Sequence, residues 1–235
     1  MHHVPFLAGL ALAFPIAFAP SSQTSDTAPA AVTQQADAVV VPASPNTTCP
    51  IMGKPISMRL HTDTQYGRIY ICCKACVKDI QADVEHAYRT SYPTTEKLEN
   101  KVCPVTDKAI TKDAVRVELQ GRDFLVADKA AAAIAVESAQ VTLAKLADPK
   151  LVDVGNGACP VTGEAAAKNV IAILDGRIVR FSSPKAIEEA RKDPKKTLAK
   201  ALELRAREDR ERESATDAGK KEAEKKDPGS KPTGG

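Results

Sequence analysis

Four cysteines carry the densest chemistry in this 235-residue chain. Cys72, Cys73 and Cys76 fall within five residues in the run Ile71-Cys72-Cys73-Lys74-Ala75-Cys76, and Cys49 stands upstream, before Pro50 and a turn-forming Gly53. If a strand runs into a helix at Cys72, the three clustered thiols lie at a helix N-terminus. Free N–H groups and the positive end of the dipole favour thiolates there. Residues i and i+4 share a helix face, so Cys72 and Cys76 can address one ion, and Cys73 can join Cys76. A chain that folds back before the strand brings Cys49 beside them. Three or four thiolates so placed suit one soft or borderline ion: Zn2+, Cu+ or a toxic heavy metal.

Other uses of the same sulfur stay open. A Cys73–Cys76 or Cys49–Cys72 disulfide would staple the chain in an oxidising compartment. Thiol–disulfide redox chemistry is a third reading, although the βαβ context of a thioredoxin-like site is missing. His61 lies on a strand and could complete a tetrahedron, with a surface histidine as the default. His86 lies ten residues past Cys76, about 15 Å along a helix, too far to share its ion. Cys103 and Cys159 read as buried small residues at turns, with a Cys103–Cys159 bridge not deducible from sequence.

The elements that must position these residues repeat. "CPIMGKPI", "CPVTDKAI" and "CPVTGEAA" open at Cys49, Cys103 and Cys159, and each leads to an extended stretch, a Gly-Arg pair and a helical segment. Val115, Val117 and Leu119 alternate before Gln120-Gly121, and Val170 to Leu174 precede Asp175-Gly176; a glycine after a polar residue suits a tight hairpin. In the first copy Met58 and Leu60 are expected opposite Ile69 and Ile71 across a turn at Gly67. One helix is expected from about Cys73 to Tyr88, another from Lys129 to Leu146, and in the third copy Ser182-Ser183-Pro184 starts a short helix that Asp193-Pro194 restarts. Glu203 with Arg207 and Glu208 with Arg212 are i,i+4 pairs on that last helix. Across the helix start the second copy offers Val126, Ala127 and Ala131, and the third Ser182, Ser183 and Ala186, so only the first keeps the sulfur. The fold class expected is α+β: three tandem ββα modules, each a knuckle, hairpin and helix, with disordered tails.

The residues "CPIMGKPI…YGRIYICCKACVKDI" resemble the TRASH/YHS group of small metal-binding modules, which have a treble-clef-like layout. The group's pattern is a knuckle cysteine, a spacer, C-x-x-x-C and an apolar residue one helical turn beyond; Cys49, Cys72, Cys76 and Ile80 match it. The resemblance implies metal binding by Cys49, Cys72 and Cys76. Many knuckles in this group carry a second thiolate before the glycine, where this chain has Met52. A thioether is a poor zinc ligand and an acceptable Cu+ ligand. Cys73 stands where serine is common, which makes it the candidate replacement thiolate.

The remaining chain bounds the partners. Net charge is +3 with aromatic residues at 4% and no tryptophan, so no broad basic field or stacking platform points to nucleic acid. Val4 to Ala19 is apolar and broken by Pro5 and Pro15, the length of a signal-peptide core and short for a span. The expected organisation is therefore a signal peptide over 1–21, a disordered linker over 22–48, the metal-binding module over 49–100, degenerate copies over 101–153 and 154–212, and a charged tail over 213–235. No membrane span is expected in the mature chain. The expected role is an exported, periplasmic or secreted, metal-binding accessory protein, not an enzyme, with copies two and three available to a protein partner. The alternative is a structural or interaction protein whose cysteines are a staple.

Overall fold

The structure is a computed structural model and describes residues 45–225, with side chains described to residue 216. The expected signal peptide, most of the expected linker and residues 226–235 lie outside the described residues. The class is α+β.

Three knuckles are built alike. The amides of Cys49, Cys103 and Cys159 donate to the carbonyls of Lys54, Lys108 and Glu164, at 2.8, 2.8 and 2.7 Å. The cysteine carbonyls accept from Gly53, Asp107 and Gly163, and those three residues have φ of 64°, 58° and 76°. Asp107 tolerates this left-handed geometry less well than glycine does. The buried Lys145 ammonium holds its carboxylate at 2.7 Å.

Each knuckle leads into an antiparallel hairpin. The first pairs β1 (Ser57–Thr64) with β2 (Gly67–Ile71) and is followed by α1 (Cys76–Ala82) and α2 (Val84–Ser91). After β3 (Glu96–Lys97), the second pairs β4 (Val115–Leu119) with β5 (Arg122–Val126), ahead of α3 (Lys129–Glu137) and α4 (Ala139–Ala147). After β6 (Val152–Asp153), the third pairs β7 (Ile171–Leu174) with β8 (Arg177–Arg180), ahead of α5 (Pro184–Ala190) and α6 (Pro194–Lys225). The short β3 and β6 add a parallel third strand to β5 and β8. Each hairpin packs against its own helices over a separate apolar cluster centred on Ile69 and Ile80, Leu119 and Phe124, or Val179 and Phe181.

The hairpin turns follow their residues. Gln120-Gly121 and Asp175-Gly176 both have positive φ at both positions, as the turn matching strand twist requires. In the first hairpin the turn falls on Gln65-Tyr66, and only Gly67, paired with Thr64, is left-handed at φ 87°. Tyrosine has no cheap access to that region, and the turn falls one residue earlier than in the other two hairpins, leaving Gly67 as the first residue of β2.

Four expectations are corrected. Met58 and Leu60 do not face Ile69 and Ile71: β1 departs from register between Ser57 and His61, and Met58 is about half exposed. The first helix is broken at Asp83, whose side chain accepts from the His86 amide. The second is broken at Ser138, with the halves bent by 103°. There the Asn169 side chain accepts from the Gln140 amide and donates to the Glu137 carbonyl, satisfying both helix ends at the break. Finally α6 runs through Lys225, across the start of the expected tail, because its Ala, Glu, Lys and Arg content favours helix.

The expected ion pairs on α6 also differ. Glu203 pairs with Lys200, and Glu208 reaches back to accept from the amides of Gly157 and Ala158, each at 3.0 Å. Among the described residues no single helix is long and apolar enough to cross a membrane.

Candidate metal centre

Three elements bring the cysteines together. The knuckle supplies Cys49, the residue after β2 supplies Cys72, and the first turn of α1 supplies Cys76. Cys49 and Cys76 are buried, Cys72 is half-buried and Cys73 is exposed. The sulfurs of Cys49, Cys72 and Cys76 all lie within 4.8 Å of one another. Cys49 lies 3.6 Å from Cys76, and Cys72 lies 3.9 Å from it. Two metal–sulfur bonds of about 2.3 Å at a tetrahedral angle separate their sulfurs by about 3.8 Å. The donor set therefore fits a thiolate-bound ion with little rearrangement. All six cysteines are free thiols.

A side chain that the sequence reading placed in the linker sets this geometry. Asn46, almost fully buried, donates to the carbonyls of Thr48 and Tyr70 at 2.7 and 2.9 Å and accepts from the Tyr70 amide at 2.9 Å. It thus ties the knuckle to β2, three residues before Cys49 and two before Cys72. Asn100 grips Val102 and Leu125 in the same way, and Asn156 grips Ala158 and Arg180. The signal was available in the sequence, where an asparagine stands three residues before each knuckle cysteine.

The clamped residues Tyr70, Leu125 and Arg180 also fix which positions correspond. Cys72 matches Ala127 and Ser182, Cys73 matches Asp128 and Ser183, and Cys76 matches Ala131 and Ala186. This moves the second segment's counterparts of Cys72 and Cys73 one residue along from the expected Val126 and Ala127. The correspondence gives Cys73 a local meaning. Asp128 accepts from the Ala131 amide at 2.8 Å and Ser183 from the Ala186 amide, each capping its helix. Cys73 is their counterpart in position, but α1 begins three residues later with Ala75 at its N-cap and no side-chain cap, and the Cys73 sulfur instead lies 3.5 Å from the Cys76 sulfur.

The thiols differ in acidity. Burial opposes ionisation of Cys49, but the amides of Cys72, Met52 and Ile51 and the Cys76 thiol outweigh it and bring the pKa down to about 7. Cys76 is pushed up to about 12 by burial and by its hydrogen bonds with Cys73, Cys49 and Cys72. Cys72 is raised by burial and by Cys49. Cys73 is lowered by the Cys76 thiol and amide. One buried anion is accommodated and a second is resisted, so a cation is what allows all three to ionise.

The remaining candidates fall elsewhere. Cys73 touches Cys76 but stands outside the mutually close trio. Met52 is on the knuckle and about half exposed. His61 is not in the cluster; its ring packs edge-on to Tyr70 at 5.8 Å, and its Nδ1 is buried without a partner. His86 is exposed on α2. Cys103 and Cys159 are fully buried in separate clusters. Compared with family models, curated proteins and solved structures, the chain finds no match.

Proposed function

We propose that this chain is an exported metal-binding or metal-sequestering accessory protein holding one soft or borderline ion, Zn2+ or Cu+, through Cys49, Cys72 and Cys76. The observation that carries this reading is the approach of three sulfurs within 4.8 Å, two of them buried. The ion supplies the positive charge that lets the buried thiols ionise together. The chain's own residues do the rest: Asn46 fixes the spacing of Cys49 and Cys72, the first turn of α1 aims Cys76, and the knuckle amides stabilise the Cys49 thiolate.

The recurring knuckle, asparagine clamp and hairpin support a threefold repeat, with a pair of helices after each hairpin. The second and third copies keep one thiol each and fill the helix start with Asp128 and Ala131, or Ser183 and Ala186. The knuckle, hairpin and helix-start cysteines support the resemblance to the TRASH/YHS group, and the apolar run Val4 to Ala19 supports export. In this reading Cys73 is the fourth donor, its sulfur 3.5 Å from that of Cys76.

X-ray absorption on anaerobically purified, zinc-loaded protein tests the site. At least three sulfur neighbours at about 2.3 Å are expected. A metal-free protein whose Cys49, Cys72 and Cys76 are oxidised to disulfides would favour the staple instead.

A further inference from the structure

A second site lies away from the cysteines. The first hairpin, α5 and the segment 169–171 line a half-open cavity of about 530 Å3, within the roughly 300–1,000 Å3 typical of small-molecule sites. Met58, Val170 and Ile187 give it apolar walls, and Arg59 and Arg191 stand among its lining.

Three observations point to a ligand. First, His61 is part of the same lining and its Nδ1 is buried with no hydrogen-bond partner, an unsatisfied group of the kind that concentrates at functional sites. Second, the irregularity in β1 falls between Ser57 and His61, the stretch that contributes Met58 and Arg59. The second and third hairpins keep regular register over their whole length. Bulges of this kind re-aim side chains beside functional sites. Third, the charge is unbalanced. Arg68 in the wall is neutralised by Asp63 at 2.8 Å and also donates to the Asn169 carbonyl. Arg59 and Arg191 make no ion pair among the described residues, and Glu188 is the one acidic residue in the lining. The balance is a single positive charge.

We propose that this cavity binds a small, apolar-bodied organic monoanion, a carboxylate whose hydrocarbon part lies against Met58, Val170 and Ile187 and whose charge is met by Arg59 and Arg191. Guanidinium groups match carboxylates in shape and charge, and an apolar wall beside them selects against small hydrophilic anions. The proposal does not depend on the metal reading, because none of these residues belongs to the cysteine cluster.

Octanoate is the probe, titrated into full-length protein with and without metal and followed by the methyl signal of Met58 and the ring signals of His61. Octanol is the uncharged control, and Arg59→Gln with Arg191→Gln is the test variant; both arginines are exposed, so the fold is retained, as an unchanged melting midpoint verifies. Saturable shifts with octanoate are expected, with affinity at least tenfold weaker in the double variant and at least tenfold weaker for octanol. Absence of saturable shifts, equal binding of octanol, or unchanged binding in the double variant would each overturn the proposal.

Discussion

Asn46 and Tyr70 hold each other through two hydrogen bonds, both 2.9 Å long, across the gap between the knuckle and β2. The pair sits on the path joining Cys49 to Cys72, so the spacing of two sulfur donors rests on one buried amide. Asn46→Ala leaves the Tyr70 amide and carbonyl without partners. We expect a loss on the order of 2–3 kcal/mol in stability, together with weaker metal binding. Chemical denaturation and a chelator competition on the same variant check both effects. Unchanged metal affinity would separate the clamp from the site.

The cysteines should rank by position. Cys76→Ser removes the sulfur to which Cys49, Cys72 and Cys73 all come close, and is expected to abolish binding. Cys73→Ser is expected to weaken binding without abolishing it. Cys103→Ser and Cys159→Ser should leave it intact, because each lies in a separate apolar cluster. Competition with a chromophoric chelator gives the four affinities directly.

Much of this ranking was legible in the sequence. The spacing of Cys49, Cys72 and Cys76 marked the trio, and Gln120-Gly121 and Asp175-Gly176 marked two turns by the backbone region they favour. What stayed hidden depended on distant partners. The break at Ser138 is held by Asn169, 31 residues along the chain, and no local propensity announces it. The irregular register of β1 displaced Met58 from the strand face that alternation assigned to it. His61, paired in register with Tyr70, lines a cavity away from the sulfurs. Glu208 looked like half of a surface ion pair until the third knuckle supplied two amides.

Metal affinity should depend steeply on pH. With Cys49 near 7, Cys76 near 12 and Cys72 raised, binding at neutral pH must displace between two and three protons from these three thiols, and any proton held by Cys73 in addition. Affinity should therefore rise at least roughly 100-fold per pH unit around pH 7, with the steeper dependence on the acid side. Proton release measured in weakly buffered solution during titration checks this. Fewer than two protons per ion would mean that the buried thiols are not the ligands.

Cys159 offers a pH test independent of metal. Burial opposes its ionisation, but the Thr162 hydroxyl and the Ser182 and Thr162 amides outweigh it and lower the pKa from 9.0 to about 7. A depressed acid contributes its full stabilisation above the unfolded value and loses it as pH falls through the folded one. The melting difference between the parent protein and Cys159→Ser should therefore be larger at pH 9 than at pH 6. A difference that does not vary with pH would contradict the assignment.

Native mass spectrometry of the reduced protein titrated with Zn2+ or Cu+ tests the central claim most directly. The first segment alone gathers three sulfurs, while the second and third retain one buried thiol each and close their helix starts with oxygen caps. The account predicts saturation at one ion per chain, and no ion retained by Cys76→Ser. Two or three tightly held ions, or one ion still held by Cys76→Ser, would contradict it.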